Sequence, residues 1–397
     1  MIKKVIFFSL VGLFLIGCSK EDPMLKVVDN ALEFAKKQSK YLADKYLDQD
    51  EILPKSFEHG QNTTSTSRWW TSGFFPGVLW YLYENNNDAA LLELARIYTA
   101  RVEKEKYTTN NHDVGFMLYC SFGNGYRLTQ DSLYKEVLLL GANSLSTRFN
   151  QKIGLIRSWD SRKEIWQYPV IIDNMMNLEL LLWASDNSDN DLYRKISISH
   201  ADKTMEHHYR DDFSCYHVVS YDTISGLPHI KQTHQGCCDE SAWARGQAWG
   251  LYGYVLMYRE TKDDKYLELA NNIANFMIHH KNMPEDMIPY WDFDAPNIPD
   301  EPRDASTASL MASALLELSD YVSDKKLKKK YVEVAEKQIR SLASPSYTAQ
   351  YGENGGFILM QSTGNYPQNS EIDTPLTYAD YYYLEALLRW KKKFDSL

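Results

Sequence analysis

The chain alternates long apolar stretches with short polar turns, and this pattern predicts paired helices. On both sides of each turn, apolar residues recur every three, four and seven positions, which is the period of an amphipathic helix. Each turn contains an Asp that can cap the helix that follows it. The pattern occurs in five segments, which begin at residues 79, 123, 180, 254 and 315.

A sixth pair is predicted from the first helix, near residues 24–48, and the last helix, near residues 378–394. Repetition at this scale is typical of helical pairs that either stack into a solenoid or close into a ring. The long loops are rich in Trp, His and Asp, which suits a pocket at the mouth of a barrel better than the open face of a solenoid. We therefore predict a ring of six hairpins, in a single domain over residues 24–397 because no Pro-, Gly- or Ser-rich linker divides it.

The N-terminus carries a predicted export signal. In residues 1–17, Lys3 and Lys4 precede an apolar run of about a dozen residues, too short to span a membrane. Residues 15–18 read LIGC, which resembles a bacterial lipobox, so we expect cleavage before Cys18, acylation of its thiol and a tether over residues 18–23. A simple signal peptide with an incidental Cys is the alternative. The expected product is a cell-envelope lipoprotein, periplasmic or on the outer-membrane surface, that contacts the membrane only through its lipid anchor.

Composition narrows the function classes. The chain has 53 acidic and 43 basic residues and a net charge of −10, so we expect no nucleic-acid partner. Its 10 Trp and 28 Tyr exceed what a core usually needs, and both residue types keep a polar edge. Cys120, Cys215, Cys237 and Cys238 lack metal-ligand spacing and are interpreted as structural.

Two acids stand out at predicted helix starts. Asp113 follows His112, and Asp173 lies between the apolar residues 169–172 and Met175. Each could be a simple helix N-cap. The apolar flanks of Asp173, however, predict desolvation, which raises the pKa of a carboxyl group towards neutrality, and a second carboxylate nearby would raise it further. Such a group can donate a proton at physiological pH.

Arginine and tryptophan accompany these acids in the predicted loops. Arg245 lies among aromatic residues and needs an anionic partner, either a carboxylate of the protein or one of the substrate. Trp70, Trp159 and Trp249 could belong to the core, and for Trp249 alone the core is the favoured interpretation. Together with the Tyr excess, however, the three suit stacking against the apolar faces of sugar rings.

Five segments together resemble a known family. HDVGF, IIDNMMN, WARGQAWGLYG, PRDAS and YADYYYLEAL are similar to the signature segments of the unsaturated glucuronyl hydrolases, glycoside hydrolase family 88, and follow that family's order from about residue 69 to residue 390. The resemblance implies an all-α (α/α)6 barrel. It also implies a hydrolase, without metal or other cofactor, that removes the 4,5-unsaturated uronic acid from the non-reducing end of oligosaccharides left by polysaccharide lyases.

The resemblance also implies roles for individual residues. Asp173 takes the position of the general acid/base, and Asp113 that of a second essential acid. The positions that line the sugar site by resemblance are Trp70, His112, Trp159, His217, Gln235, Arg245 and Trp249.

One loop departs from relatives that accept sulfated glycosaminoglycan fragments. Those relatives carry serine and lysine there, whereas residues 360–373 contain Ser362, Thr363 and Ser370 but no Lys. Glu371 would repel a sulfate group. Efficient use of substrates sulfated at that subsite would therefore need a Lys or Arg from another loop.

Two other functions remain open from the sequence. An unsaturated rhamnogalacturonyl hydrolase would have the same barrel and the same reaction on pectin fragments, although HDVGF and PRDAS favour the glucuronyl family. A lipid-anchored glycan-binding protein would grip sugar without turnover. Such a protein would not need Asp113 and Asp173 buried together near an arginine.

Overall fold

A computed structural model describes residues 23–395, which excludes the predicted signal segment and Cys18. The helices are α1 (Pro23–Lys45), α2 (Phe74–Asn86), α3 (Ala89–Ala100), α4 (Val114–Leu118), α5 (Asn124–Thr129), α6 (Ser132–Ser146), α7 (Asn174–Asp186), α8 (Leu192–His208), α9 (Ala244–Thr261), α10 (Asp264–His279), α11 (Ala305–Tyr321), α12 (Lys325–Leu342) and α13 (Thr377–Phe394). A π-helical turn, Tyr119–Gly123, joins α4 and α5 into one continuous helix.

Six helices form an inner ring. In order around the ring, α2, α4–α5, α7, α9, α11 and α13 pack side by side, and α13 closes the ring against α2. Every residue of α9 from Ala244 to Met257 is buried, because this helix is covered on all sides. The outer helices are amphipathic: α12 buries Tyr331, Val334 and Ala335 and turns its lysines outward. The predicted ring is confirmed, and the solenoid is wrong.

The predicted hairpins are confirmed, together with most of their caps. Asp88, Asp131, Asp263 and Asp324 each accept a hydrogen bond from the backbone N–H two residues ahead, at 2.9, 3.0, 3.2 and 2.7 Å. A cap of this kind contributes about 1 kcal/mol. Asp191 precedes α8 without such a bond. The sixth hairpin joins the two ends of the chain, since α13 packs against α1.

The starts of the inner helices share one end of the ring with short strands. The strands are β1 (Leu53–Glu58), β2 (Gln61–Ser65), β3 (Phe149–Asn150), β4 (Leu155–Ile156), β5 (Pro169–Ile171), β6 (Val218–Tyr221), β7 (Pro228–Gln232), β8 (Ser362–Asn365) and β9 (Ser370–Thr374). They pair antiparallel as β1–β2, β3–β4, β5–β6–β7 and β8–β9. This end therefore collects the polar loops that the sequence pattern assigns to one mouth of the barrel.

Two further features bear on the sequence-based predictions. Within residues 23–395, no helix combines the length and apolarity that crossing a membrane requires. The four cysteines of this part of the chain are unpaired: Cys120 and Cys215 are buried, Cys237 is half-buried and Cys238 is exposed.

Candidate active site

Asp113 and Asp173 lie at the starts of two inner helices that pack closely together. Asp113 precedes α4 and Asp173 precedes α7. The backbone N–H of Phe116 donates to Asn177 Oδ1 at 2.8 Å, which links the first turns of the two helices. A Cβ atom on Gly115 would lie 2.6 Å from the Cα atom of Asn177, so only glycine permits this approach. The contact brings the two acids to one corner of the barrel mouth.

Neither acid acts as an N-cap. Both occupy the N-cap position, but neither side chain accepts a hydrogen bond from the following turn. Asp173 Oδ2 is buried and has no hydrogen-bond partner within the protein. The capping interpretation therefore does not account for these carboxyl groups.

Burial dominates the acidity of both groups. Asp173 is 7% exposed, and burial raises its pKa to about 7, although the charge of Arg245 opposes the rise. Burial and the neighbouring Asp173 raise the pKa of Asp113 to about 8, against the opposing charge of Arg148. The direction for Asp173 agrees with the expectation from its apolar flanks. The pair therefore retains protons close to neutral pH.

His217 points a defined nitrogen at Asp173. Its Nδ1 accepts hydrogen bonds from the backbone N–H groups of His234 and Gln235, both at 3.1 Å, so its proton sits on Nε2. That Nε2 lies 3.7 Å from Asp173 Oδ2. Burial lowers the pKa of His217 well below its usual range, which keeps the ring neutral. The loop at residues 234–235 thus sets the orientation of a donor beside the acid.

His112 stands in a similar relation to Asp113. Its Nε2 lies 3.3 Å from Asp113 Oδ1, and burial lowers the pKa of His112 to about 3. The backbone N–H of His112 donates to the carbonyl of Ser158 at 3.0 Å. This pairing also brings Trp159 beside the segment that carries Asp113, through a bridge between Trp159 and Asn111.

Arg245 finds its anionic partner within the protein. Its Nη1 donates to Asp304 Oδ2 at 3.0 Å and to the carbonyl of Thr363 at 2.5 Å, and its Nη2 donates to the carbonyl of Gly364 at 2.5 Å. Gln235 Nε2 donates to the same Gly364 carbonyl at 3.0 Å. Of the two partners that the sequence leaves open, the structure contains the protein carboxylate. Arg245 Nε has no partner within the protein.

The three tryptophans differ in access. Trp70 is half-buried, with its ring centroid 5.0 Å from that of Tyr378. Trp159 is also half-buried and packs edge-on against Trp166 at 5.5 Å. Trp249 is 0% exposed and contacts Phe116 at 5.2 Å beneath the site. Trp70 and Trp159 can offer a face to a sugar, whereas Trp249 is a core residue in this arrangement.

Comparison with known proteins assigns the chain to a family. Glycosyl Hydrolase Family 88 matches residues 48–394. The chain belongs to this family. An unsaturated glucuronyl hydrolase of Formosa agariphila is 47% identical over 324 residues, which cover 81% of this chain and 80% of the relative. An unsaturated chondroitin disaccharide hydrolase of Streptococcus agalactiae is 30% identical over 377 residues, covering 93% of this chain and 92% of the relative.

A solved structure agrees with the barrel. It is an unsaturated glucuronyl hydrolase specific for heparin, 48% identical, with a TM-score of 0.90 over 93% of this chain and 98% of the other. The predicted (α/α)6 barrel and the predicted glycoside hydrolase of the unsaturated glucuronyl hydrolase type are confirmed for this family 88 enzyme. The roles of individual site residues stay predictions.

The structure adds three residues to those that the sequence singles out. Asn177 faces both helix starts, and its spacing of four from Asp173 places the two on one helical face.

His234 lies between Trp159, at 5.9 Å, and His217, at 6.4 Å. Tyr378, whose buried hydroxyl has no partner within the protein, lies beneath the Arg245 guanidinium at 5.3 Å. Only Asn177 could have been found from spacing.

The site offers acids and hydrogen-bond donors. Among residues 23–395, no three His, Cys, Asp or Glu side chains lie close enough together to hold a metal ion. The buried polar atoms without a protein partner at or near this end of the barrel include Trp159 Nε1, Asp173 Oδ2, His217 Nε2, Arg245 Nε and Tyr378 Oη. Such atoms are suited to a ligand with many hydroxyl groups.

Proposed function

We propose that this family 88 enzyme removes the 4,5-unsaturated uronic acid from the non-reducing end of glycosaminoglycan fragments made by polysaccharide lyases. The observation that carries the proposal is a pair of acids at adjacent helix starts, the half-buried Asp113 and the buried Asp173, with pKa values of about 8 and 7. The similarity to enzymes that act on chondroitin disaccharides and heparin supports the substrate class.

The first chemical step is a proton transfer. The unsaturated uronic acid is an enol ether, so a proton delivered to C4 uses the electrons of the double bond and leaves a positive centre at C5 that the ring oxygen stabilises. Asp173 supplies this proton. Because burial raises its pKa to about 7, Asp173 can carry the proton near neutral pH and can also lose it, as general acid catalysis requires.

Water completes the hydration. It adds to C5 while the Asp173 carboxylate accepts its proton, which restores the acid for the next turnover. The resulting hemiketal opens: the bond between C5 and the ring oxygen breaks to give a ketone at C5, and C1 then releases the neighbouring sugar as an alcohol. Since a double bond is hydrated, the separation of the two carboxyl groups does not determine the stereochemical outcome as it does in other glycosidases.

The surrounding residues position these groups. The Nε2–H group of His217 lies 3.7 Å from Asp173 Oδ2 and offers a neutral donor to a ligand beside that oxygen. Asp113, which retains its proton at neutral pH, donates to a sugar hydroxyl, and His112 orients the carboxyl group of Asp113.

Trp70 and Trp159 supply aromatic faces to the sugar ring. Arg245 acts on Asp173 through its charge, since three of its contacts are to the protein.

The cellular location belongs to the proposal as well. We propose that Cys18 is acylated and holds the enzyme at the cell envelope, on the strength of the lipobox-like LIGC at residues 15–18. Mass spectrometry of the mature N-terminus tests this part separately. A chain that retains residues 1–17, or an unmodified Cys18, would contradict it.

Turnover tests the proposed reaction directly. Hydration removes the enol ether, so its ultraviolet absorbance falls when unsaturated chondroitin, hyaluronan or heparin disaccharides are consumed. Asp173→Asn should lower kcat by at least roughly 10²- to 10⁴-fold, because the amide can neither give nor take the proton. Asp131→Asn is the matched control, since Asn replaces Asp well as an N-cap and Asp131 caps α6.

Several outcomes would count against the proposal. Full activity of Asp173→Asn would refute the assignment of the acid. Unchanged absorbance with all three glycosaminoglycan disaccharides would refute the substrate class. Turnover of unsaturated galacturonyl-rhamnose alone would favour the pectin alternative.

A further inference from the structure

An ion pair lies at the edge of the sugar site and takes no part in the proposed reaction. Lys55 Nζ, on β1, lies 3.0 Å from Glu371 Oε1, on β9. The same ammonium group sits 4.7 Å above the ring of Trp69. Both side chains are mostly buried, Lys55 at 20% and Glu371 at 12% exposure. Trp69, by contrast, is 43% exposed.

The pair is connected to the site through the backbone. A Cβ atom on Gly364 would lie 2.4 Å from Glu371 Oε2, so the carboxylate rests directly on this glycine. The carbonyl of the same glycine accepts hydrogen bonds from Arg245 and Gln235.

On the other side of the ion pair, Trp69 is followed in the chain by Trp70, which packs on Tyr378. The pair therefore borders the residues that we propose to hold the uronic acid.

The backbone at Glu371 is held in an unfavourable conformation. Its φ of 55° is in the left-handed region, which glycine adopts readily and glutamate rarely does. Its N–H donates to Glu58 Oε1 at 3.1 Å, which ties β9 to β1 and holds the residue there. Local strain of this kind clusters at sites that bind ligands. Glu371 is thereby held with its carboxylate against Gly364 of β8.

We propose that Lys55 recognises a sulfate group on the sugar linked to the uronic acid, and that Glu371 competes with this sulfate for Lys55. The proposal rests on the proposed function. Lys55 supplies, from strand β1, the cation that the loop at residues 360–373 lacks. The exposed ring of Trp69 packs against the same sugar.

The competition follows from the charges of the three groups. With an unsulfated sugar, Glu371 keeps the half-buried ammonium neutralised, which avoids an unpaired charge. With a sulfated sugar, the ammonium offers its three donors to the sulfate, while the carboxylate repels it. The preference for a sulfated sugar is therefore the difference between the attraction of Lys55 for the sulfate and the repulsion of the sulfate by Glu371. A substitution at either residue removes one of the two.

Substitutions at the two positions should move this preference in opposite directions. Lys55→Met should lower kcat/KM for a disaccharide sulfated on its amino sugar by roughly tenfold, mainly through KM, with an effect of less than about threefold on the unsulfated disaccharide. Glu371→Gln should raise the ratio of sulfated to unsulfated turnover. Lys55→Arg keeps the charge and should retain most of the preference.

A matched control separates this role from loss of a surface charge. Lys104 forms an ion pair of the same length, 3.0 Å, with Glu51, and both residues are exposed. Lys104→Met should leave both substrates unaffected. Measurement of Kd by calorimetry in the Asp173→Asn background gives the same ratio without turnover, so that failure of the proposed reaction can be told apart from failure of this proposal.

The proposal is overturned if Lys55→Met weakens both disaccharides equally or affects neither. It is also overturned if Glu371→Gln leaves the ratio of the two affinities unchanged. An equal loss would indicate that the pair only supports the hairpin β8–β9, and thermal unfolding of each variant identifies that case.

Discussion

At the scale of single residues, the acid of this site is tuned by opposing effects. Burial disfavours the charged form of Asp173, while Arg245 favours it, and the pKa comes to about 7. Arg245 cannot move freely in this role, because its guanidinium is bound to Asp304 and to two backbone carbonyls. Its charge is therefore at a constant position relative to the acid.

The pKa of Asp173 predicts the pH dependence of turnover. The proton must be present for transfer to C4, so kcat/KM should fall as the pH rises above about 7, with a slope of one proton. Initial rates with an unsaturated disaccharide between about pH 5 and pH 9 measure this fall in kcat/KM, the alkaline limb of the pH profile.

Asp113, with a pKa of about 8, is still neutral when Asp173 titrates. Asp113→Asn should therefore slow the reaction but leave the limb near pH 7. A limb near pH 4, the ordinary range of Asp, would contradict this account.

At the scale of secondary-structure elements, the site depends on the contact between α4 and α7. Each helix carries one acid at its start, and the contact at Gly115 determines how closely the two starts approach. The hydrogen bond from Phe116 to Asn177 fixes the relative height of the helices. The acids are thus held by rigid elements and not by the loops that precede them.

Gly115→Ala should separate the two acids. Its Cβ would lie 2.6 Å from the Cα atom of Asn177, so the helices must move apart. We expect a loss of about 1 to 3 kcal/mol in the free energy of unfolding. We also expect kcat to fall roughly tenfold to a hundredfold, because small displacements of catalytic groups are costly. Denaturant unfolding and steady-state kinetics measure the two effects.

The control for this substitution lies in the same continuous helix. A Cβ on Gly125 would lie 2.7 Å from the ring of Tyr134, away from both acids. Gly125→Ala should cost stability and leave kcat near that of the wild type. Equal losses of kcat in both variants would mean that the approach of α4 to α7 is not what positions the acids.

At the scale of the whole molecule, the buried acids lower stability at the pH where the enzyme is proposed to work. The folded state retains the Asp173 proton up to about pH 7, whereas the unfolded chain releases it near pH 4. The contribution of Asp173 to stability is therefore most favourable below about pH 4, falls as the pH rises towards 7, and stays constant above that. The three-unit difference sets an upper limit of about 4 kcal/mol on this destabilisation.

Asp173→Asn should therefore stabilise the protein at neutral and alkaline pH. We expect its melting temperature to exceed that of the wild type at pH 8, with the difference vanishing near pH 4, as followed by calorimetry. Asp88 provides a control of opposite sign, because its hydrogen bond with Lys36 lowers its pKa. Asp88→Asn should lower the melting temperature at pH 8. A melting temperature of Asp173→Asn that is below the wild type at every pH would contradict the expected destabilisation.

Much of the architecture follows from local patterns along the chain. Helical periodicity and the turn aspartates identify the hairpins, and four of the five aspartates cap as expected. The apolar flanks of Asp173 indicate its burial and its raised pKa. The sequence context also favours burial of Trp249, which lies beneath the site, whereas it does not determine the exposure of Trp70 and Trp159, which lie in loops.

The repeated hairpins, their caps and the candidate acids are therefore readable along the chain, since each depends on residues within one or two helical turns. Which distant groups meet depends on the folded barrel. The partner of Arg245 lies 59 residues away at Asp304. The Nε2 proton of His217 is set by backbone N–H groups at residues 234 and 235. The pairing of Lys55 with Glu371 joins opposite ends of the chain. These contacts form only when the ring of helices closes, so the local sequence pattern does not predict them.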